Sequence, residues 1–196
     1  MLILASQSIN RAQILNQSGV SHQVHPSGVD EQVIKEQYWR QGKTSPETSY
    51  ALAQAKAEEV AQYHPEKFVL GIDQMVECEG KWFDKAQSIE EARDQLLFLA
   101  GRIHILPTSA VILYQGKVVW AITEIPRLTM RNFSLQFVDH YITTLDKKIL
   151  SSVGCYQIEG LGVQLFEEIQ GDIFTIMGLP LLPLLSFLRT RGLIIQ

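Results

Sequence analysis

Apolar positions open the chain as an unbroken run, Leu2-Ile3-Leu4-Ala5, which predicts a buried first strand. After Ser6-Gln7-Ser8 the period changes. Ile9, Ala12, Ile14 and Leu15 fall at helical spacing, and Gly19 stands where a C-cap belongs. Ser21 to Pro26 predicts a second strand, Val29-Asp30-Glu31 a loop just past it, and Gly42 to Pro46 a turn. Ser45 then caps a helix with Pro46 at its first position and Glu47 in its first turn. Tyr50, Ala53 and Ala57 trace its apolar face, widened by Leu52 and Val60. Phe68 to Val76, FVLGIDQMV, is the stretch around which the rest is arranged: a buried strand pattern interrupted by Gly71 and Asp73 and resumed by Met75-Val76.

Beyond it, Glu77 to Trp82 predicts a hairpin turning at Glu79-Gly80. Ser88 to Leu99 predicts a helix with a Ser88/Glu91 capping box, a core side of Leu96, Leu97 and Leu99, and Gly101 at its end. Ile103 to Tyr114 and Lys117 to Ile125 form a second hairpin across Gln115-Gly116. Ser134 starts a helix that runs to about Leu145 and buries Phe137, Tyr141 and Leu145. Gly154 to Gly160 predicts a strand that places Glu159 just before a glycine, and Gly178-Leu179-Pro180 opens a final apolar helix ending at Gly192. No repeat, linker or low-complexity stretch intervenes, so residues 1–196 are expected to form a single α/β domain.

Composition narrows the classes. With 46% hydrophobic and 19% charged residues the chain has material for a packed core. A net charge of −4 offers no dominant basic surface, which argues against nucleic-acid binding. A few focused cations can still hold a small anion. The two cysteines, Cys78 and Cys155, lack metal-ligand spacing and point to reduced structural thiols in a reducing compartment. The opening Met1 to Ala5 has no basic n-region, and Leu179 to Leu188 is short and broken by Pro180 and Pro183; neither predicts a signal or a membrane span, and the expected location is cytoplasmic.

Candidate chemistry sits at a few unusual polar positions. Asp73 is a carboxylate inside a core strand, a placement that is expensive unless it is paired or put to use; a turn-capping aspartate is the competing reading. Ser6 and Ser8 precede a helix, with Arg11 one turn in, the arrangement in which backbone N–H groups meet a phosphate; an ordinary Ser N-cap and a surface Arg explain the same residues. Asp30-Glu31 is either a solvated pair or a metal-side one. Lys56 lies in an alanine-rich helix, facing solvent or sending its amine into a cleft. Lys85 returns a second lysine toward the Asp73 side. His104, without a second His or Cys at metal spacing, is an ordinary strand histidine.

In order, these segments resemble the Maf (septum-formation-inhibitor-like) family of nucleoside triphosphate pyrophosphatases. Leu2 to Ser6 with Ser8 and Arg11 is similar to its opening LASxSxRR signature, Val29-Asp30-Glu31 to its acidic step, and Leu52-Ala53 with Lys56-Ala57 to its LAxxKA helix. Gly71-Ile72-Asp73 resembles its GxD, Lys85 its GKP lysine, and Ala100-Gly101-Arg102 with His104 its SGRxH; Glu159-Gly160 and Gly178-Leu179-Pro180 match two further landmarks. The resemblance spans nearly the whole chain. It implies a Maf/ITPase-like α/β fold, an elongated mixed, twisted sheet with flanking helices around a deep nucleotide cleft, usually in a homodimer. It also implies hydrolysis between the α- and β-phosphates to a monophosphate and pyrophosphate. Asp73 is then the proton acceptor, Ser8, Arg11, Lys56 and Lys85 phosphate contacts, and Glu31 with Asp73 the metal side. Mg²⁺ is the expected cation and Mn²⁺ its alternative.

Three positions bear on substrate in that family, here Asn10, Gln74 and Glu159. The subgroup acting on dTTP and UTP carries Arg, Thr and Gln; that acting on 7-methyl-GTP carries Trp, Gln and Glu. Gln74 and Glu159 resemble the second, and a carboxylate at 159 can accept from guanine N1–H and the 2-amino group. The implied role is nucleotide house-cleaning on 7-methyl-GTP or another modified purine. The alternatives are a dTTP/UTP pyrophosphatase and a non-catalytic nucleotide-binding regulator of cell division. Asn10 departs from both subgroups, Ile9 and Ala86 stand where prolines are usual, and Ala12 where a second Arg often lies. The changes gather at the phosphate-and-base end.

Overall fold

The computed structural model describes residues 1–195. In chain order the elements are β1 (Leu2–Ala5), α1 (Ile9–Gln17), β2 (His22–Val24), α2 (Glu31–Arg40), α3 (Ser45–Ala61), β3 (Phe68–Gln74), β4 (Val76–Cys78) and β5 (Lys81–Phe83). They continue with α4 (Ile89–Leu99), β6 (Ile103–Ile105), β7 (Thr108–Tyr114), β8 (Lys117–Glu124), β9 (Arg127–Met130) and α5 (Leu135–Leu145). Three 3-10 turns, Asp146–Ser151, Val153–Cys155 and Leu161–Leu165, precede β10 (Phe166–Gln170), α6 (Ile173–Ile176) and α7 (Leu181–Thr190). The α/β class expected from the sequence holds, with the strands shared between two five-stranded sheets. Two compact units result: residues 1–74, 108–124 and 173–195, and residues 75–107 and 125–172.

The first unit is built on a mixed sheet in the order β2-β1-β3-β7-β8. β1 pairs in parallel with β2 and β3, and β3 in antiparallel with β7. The strict alternation of β1 and β3 divides the core in two. Leu2, Leu4, Leu70 and Ile72 face Ile14, Leu15, Leu184 and Leu188 on one side. Ile3, Ala5 and Val69 face Ala53, Ala57 and Val60 of α3 on the other. Gly71 falls on this second face, and α3 crosses it so closely that a Cβ there would sit 2.0 Å from the Ala53 carbonyl oxygen. Glycine at 71 and alanines at 53 and 57 are what permit the approach.

The second unit holds the antiparallel sheet β10-β9-β6-β4-β5 with α4 and α5. Here the expected hairpin at Glu79-Gly80 forms, with both residues at positive φ. His104 is fully buried in β6, its Nε2 3.0 Å from the Tyr156 hydroxyl and its Nδ1 without a hydrogen-bond partner. Burial alone pulls its pKa down to about 4. Both cysteines are free and buried.

Several boundaries differ from the sequence expectation. Ile103 to Tyr114 is two strands in different sheets, divided at Leu106-Pro107. Phe68 to Val76 divides likewise, between β3 and β4. The residue capping α3 is Thr44, which accepts from the Glu47 amide while Glu47 reaches back to the Thr44 amide; Ser45 and Pro46 are its first helical positions. Asp30-Glu31 is no loop: Asp30 accepts from the Gln32 and Val33 amides and starts α2. The strand expected from Gly154 to Gly160 is absent, because Gly154 and Cys155 both take positive φ and turn the chain. In α5 the buried residues are Val138, Tyr141 and Ile142, a face turned by about one position from the one anticipated. No described helix is long and apolar enough to cross a membrane.

Candidate functional site

In the first unit, Asp73 sits on β3 opposite Ser109 of β7, 4% exposed, on the face that α3 covers. Lys56 lies on α3 between Ala53 and Ala57, the two residues against Gly71, so the close crossing of helix and strand sets its amine beside the carboxylate. Lys56 Nζ donates to Asp73 Oδ1 at 2.7 Å and lies 2.7 Å from Glu31 Oε1, on the first turn of α2. One ammonium is thus shared by two carboxylates contributed from distant parts of the chain. Asp73 Oδ2 is buried without a hydrogen-bond partner. Burial pushes the Asp73 carboxyl above its usual range. Lys56 pulls it down, Glu31 pushes it further up, Arg11 lowers it slightly, and burial prevails.

Arg11 comes from the first turn of α1. Its Nε donates to the Gly178 carbonyl at 2.9 Å and its Nη1 to Ser6 Oγ and the Ile72 carbonyl, both at 3.1 Å. Burial lowers its pKa, against the pull of Asp73 and Glu31, and a guanidinium stays charged regardless. Ser8 caps α1 by accepting from the Arg11 amide, and its own amide donates to Ser6 Oγ. Ser6 therefore accepts from two donors, which binds the β1–α1 turn to the guanidinium. Gln74 follows Asp73 on the opposite face of β3. Its amide nitrogen meets Thr108 Oγ1 at 2.8 Å and the carbonyls of Thr175 and Ile176 at 2.9 and 3.2 Å. Carbonyl oxygens only accept, so the NH₂ end must face them and Oε1 is left as the presented atom. The Thr175 hydroxyl in turn donates to Glu124.

Of the residues singled out in the sequence, Asp73, Glu31, Lys56 and Arg11 are brought into one electrostatic cluster, with Ser8 and Gln74 tied to it through Ser6 and the neighbourhood of Gly178. Asn10 is half-buried beside Arg11 on α1. Lys85 and Glu159 belong to the second unit. Lys85 is exposed in the loop after β5, and Glu159 is exposed in the turn before the Leu161–Leu165 segment. Thr108 and Thr175, which orient Gln74, carry no motif in the sequence; only the β3–β7 register and the placement of α6 bring them together.

The donor set suits a hard cation. An orphaned carboxylate oxygen on Asp73 and a second carboxylate on Glu31 are the one or two acidic ligands that Mg²⁺ takes while keeping its waters. Among the described residues no group of three His, Cys, Asp or Glu side chains gathers as a complete cage. What the cluster can do chemically is hold anionic oxygens near Lys56 and Arg11 and take a proton at Asp73, whose raised pKa places it nearer neutrality than a surface aspartate.

Named relatives cover nearly the whole chain. A nucleoside triphosphate pyrophosphatase of Granulibacter bethesdensis is 46% identical over 188 residues, 96% of this chain and 95% of that one. One from Paramagnetospirillum magneticum is 43% identical over 190 residues, 97% and 98% of the two chains. A 7-methyl-GTP pyrophosphatase of Bartonella henselae is also 43% identical over 190 residues, 96% and 94%. The model of the Maf-like proteins matches residues 1–191, across both units. The chain belongs to the Maf family.

Proposed function

We propose that this protein is a nucleoside triphosphate pyrophosphatase, cleaving the anhydride between the α- and β-phosphates to give a nucleoside monophosphate and pyrophosphate. The observation that carries the reading is the buried Asp73 carboxylate at 2.7 Å from Lys56, with Glu31 and Arg11 in the same cluster. A carboxylate inside a core strand is costly, and this one is retained with its lysine and an unused oxygen. Relatives that share nearly the full length and bear the pyrophosphatase name support the same reaction.

In this reading Lys56 holds Asp73 through Oδ1, leaving Oδ2 to accept the proton from the attacking water. Arg11, anchored through Nε and Nη1, keeps its other donors for phosphate oxygens. The capped N-terminus of α1 adds backbone amides and a favourable dipole. Mg²⁺ or Mn²⁺, held by Asp73 and Glu31, would supply Lewis-acid neutralisation of the phosphate charge. Gln74 is proposed as a contact to a 7-methyl-GTP or related purine base; Lys85 and Glu159, in the second unit, stand as proposed substrate contacts through the family resemblance alone. The protein is proposed to act as a cytoplasmic house-cleaning enzyme and to form a homodimer.

Assaying pyrophosphate release from a panel that includes 7-methyl-GTP, GTP, dTTP and UTP, with either metal, tests this. We expect release, fastest with the methylated purine, and a fall of about 10²–10⁴-fold in Asp73→Asn. Release favouring dTTP and UTP would reassign the substrate. Nucleotide-dependent thermal stabilisation without release would instead indicate a binding regulator.

A further inference from the structure

Gln74 stands directly opposite Thr108 across the β3–β7 ladder. Its side-chain nitrogen reaches three oxygens, Thr108 Oγ1 at 2.8 Å and the carbonyls of Thr175 and Ile176 at 2.9 and 3.2 Å. Those two carbonyls close the short α6, where a helix end leaves C=O groups in need of donors. An amide nitrogen carries two protons, and the three acceptors engage both. The fully buried Thr108 hydroxyl points its own proton at the Thr175 carbonyl, 3.4 Å away, and so turns a lone pair to Gln74. The Thr175 hydroxyl donates to Glu124 on β8, which ties α6 to the sheet at a second strand.

Turning the amide over would set Oε1 against two carbonyl oxygens that can only accept. Its orientation is therefore fixed, and Gln74 offers an acceptor and no donor. Capping α6 accounts for the nitrogen end. The oxygen end is aimed elsewhere. A Cβ built on Gly178 would have Arg11 Nε, Arg11 Nη2 and Gln74 Oε1 as its three nearest neighbours, at 3.4, 3.7 and 3.8 Å. The acceptor thus borders the same spot as the guanidinium, and a residue without a side chain leaves that spot clear.

We propose that Thr108 is a positioning residue for base selection: by holding the Gln74 amide it makes Oε1 a fixed acceptor, to which the nucleobase must offer an N–H of its own. The inference rests on the pyrophosphatase reading above and deepens it. A base edge that presents a carbonyl or an unprotonated ring nitrogen meets Oε1 lone pair to lone pair, whereas the N1–H or 2-amino group of a guanine can donate. An oxygen already aimed also spares the complex the cost of ordering a free glutamine.

Steady-state kinetics on the preferred nucleotide of the panel, with tripolyphosphate as a competitive inhibitor that has no base, tests the assignment. Thr108→Val keeps the shape and loses the acceptor. Its KM should rise about 3–10-fold, the scale of one neutral hydrogen bond, with kcat and the tripolyphosphate inhibition constant within about twofold of the parent. Thr108→Ser keeps the hydroxyl and should match the parent. Gln74→Met should raise KM at least as far, and adding Thr108→Val to it should raise KM no further, because Thr108 acts through the amide. Melting midpoints check that each variant is folded. An unchanged KM in Thr108→Val or in Gln74→Met, a tripolyphosphate constant that moves with KM, or losses that add in full in the double variant would each overturn the proposal. If the parent releases no pyrophosphate from any nucleotide, the pyrophosphatase reading falls on its own, and nucleotide dissociation constants replace KM in the same comparison.

Discussion

Two buried titratable side chains, Asp73 and His104, give the protein opposite pH dependences. The Asp73 carboxyl is raised above its usual 3.8, mainly by burial. The folded state therefore holds a proton that the unfolded chain has lost, and stability falls as pH rises from 3.8 through the raised value. Asp73→Asn removes that slope, so the variant should be the more stable form at neutral pH even as it loses activity. Urea midpoints at mildly acidic and neutral pH measure this; an Asn variant weaker than the parent at neutral pH would mean the Lys56 attraction outweighs burial. His104 behaves in reverse. Its pKa is held near 4 against an unfolded 6.5, so the unfolded chain takes up the proton first and stability falls as pH drops between those values. The full window is worth about 3 kcal/mol by the linkage relation. His104→Phe leaves the Tyr156 hydroxyl without this partner and lowers stability, but it should flatten the acid limb, which a series of urea melts between the two pKa values reads directly.

At the scale of elements, the site depends on how closely α3 crosses β3. A methyl group at residue 71 collides with backbone of α3, at 2.0 Å from the Ala53 carbonyl and 2.8 Å from the Ala57 amide, and backbone yields poorly. Gly71→Ala should cost roughly 1–3 kcal/mol as an overpacked core. It should also reduce turnover, because the helix it displaces carries Lys56; a fully active variant would show that the Lys56–Asp73 contact is not needed. The elements forming this crossing were legible in the sequence. Alanines at helical spacing, a glycine within an apolar strand and a carboxylate two residues on are each locally unusual. α2 was not legible: it buries no residue, its apolar Val33, Ile34, Tyr38 and Trp39 make no core stripe, and only the Asp30 cap announces it. Nor was the change of sheet at Leu106-Pro107, since an apolar run reads alike whether one sheet or two receive it. Thr108 and Thr175 escaped for a further reason: their bonds to Gln74 join residues that only the completed fold makes neighbours.

For the molecule as a whole, charge decides what must accompany the substrate. The chain carries a formal −4, and the cluster at Asp73 offers little surplus to offset it: Lys56 and Arg11 bring two positive charges, Asp73 and Glu31 two negative ones when ionised. A nucleoside triphosphate adds several more negative charges. Within a partly buried site such repulsion is weakly screened, and side chains already committed to one another cannot cancel it. Nucleotide binding should therefore depend on a divalent cation rather than merely be improved by it. In thermal melts, the triphosphate with Mg²⁺ should raise the midpoint, the same nucleotide in EDTA should leave it near that of the ligand-free protein, and Mg²⁺ alone should have a small effect. Glu31→Gln removes one negative charge from the cluster and should shift this balance, so that nucleotide binding in EDTA improves while pyrophosphate release with Mg²⁺ falls. Equal stabilisation with and without metal in the parent protein would show that its own lysines and arginines suffice, and would remove the cation from the binding step.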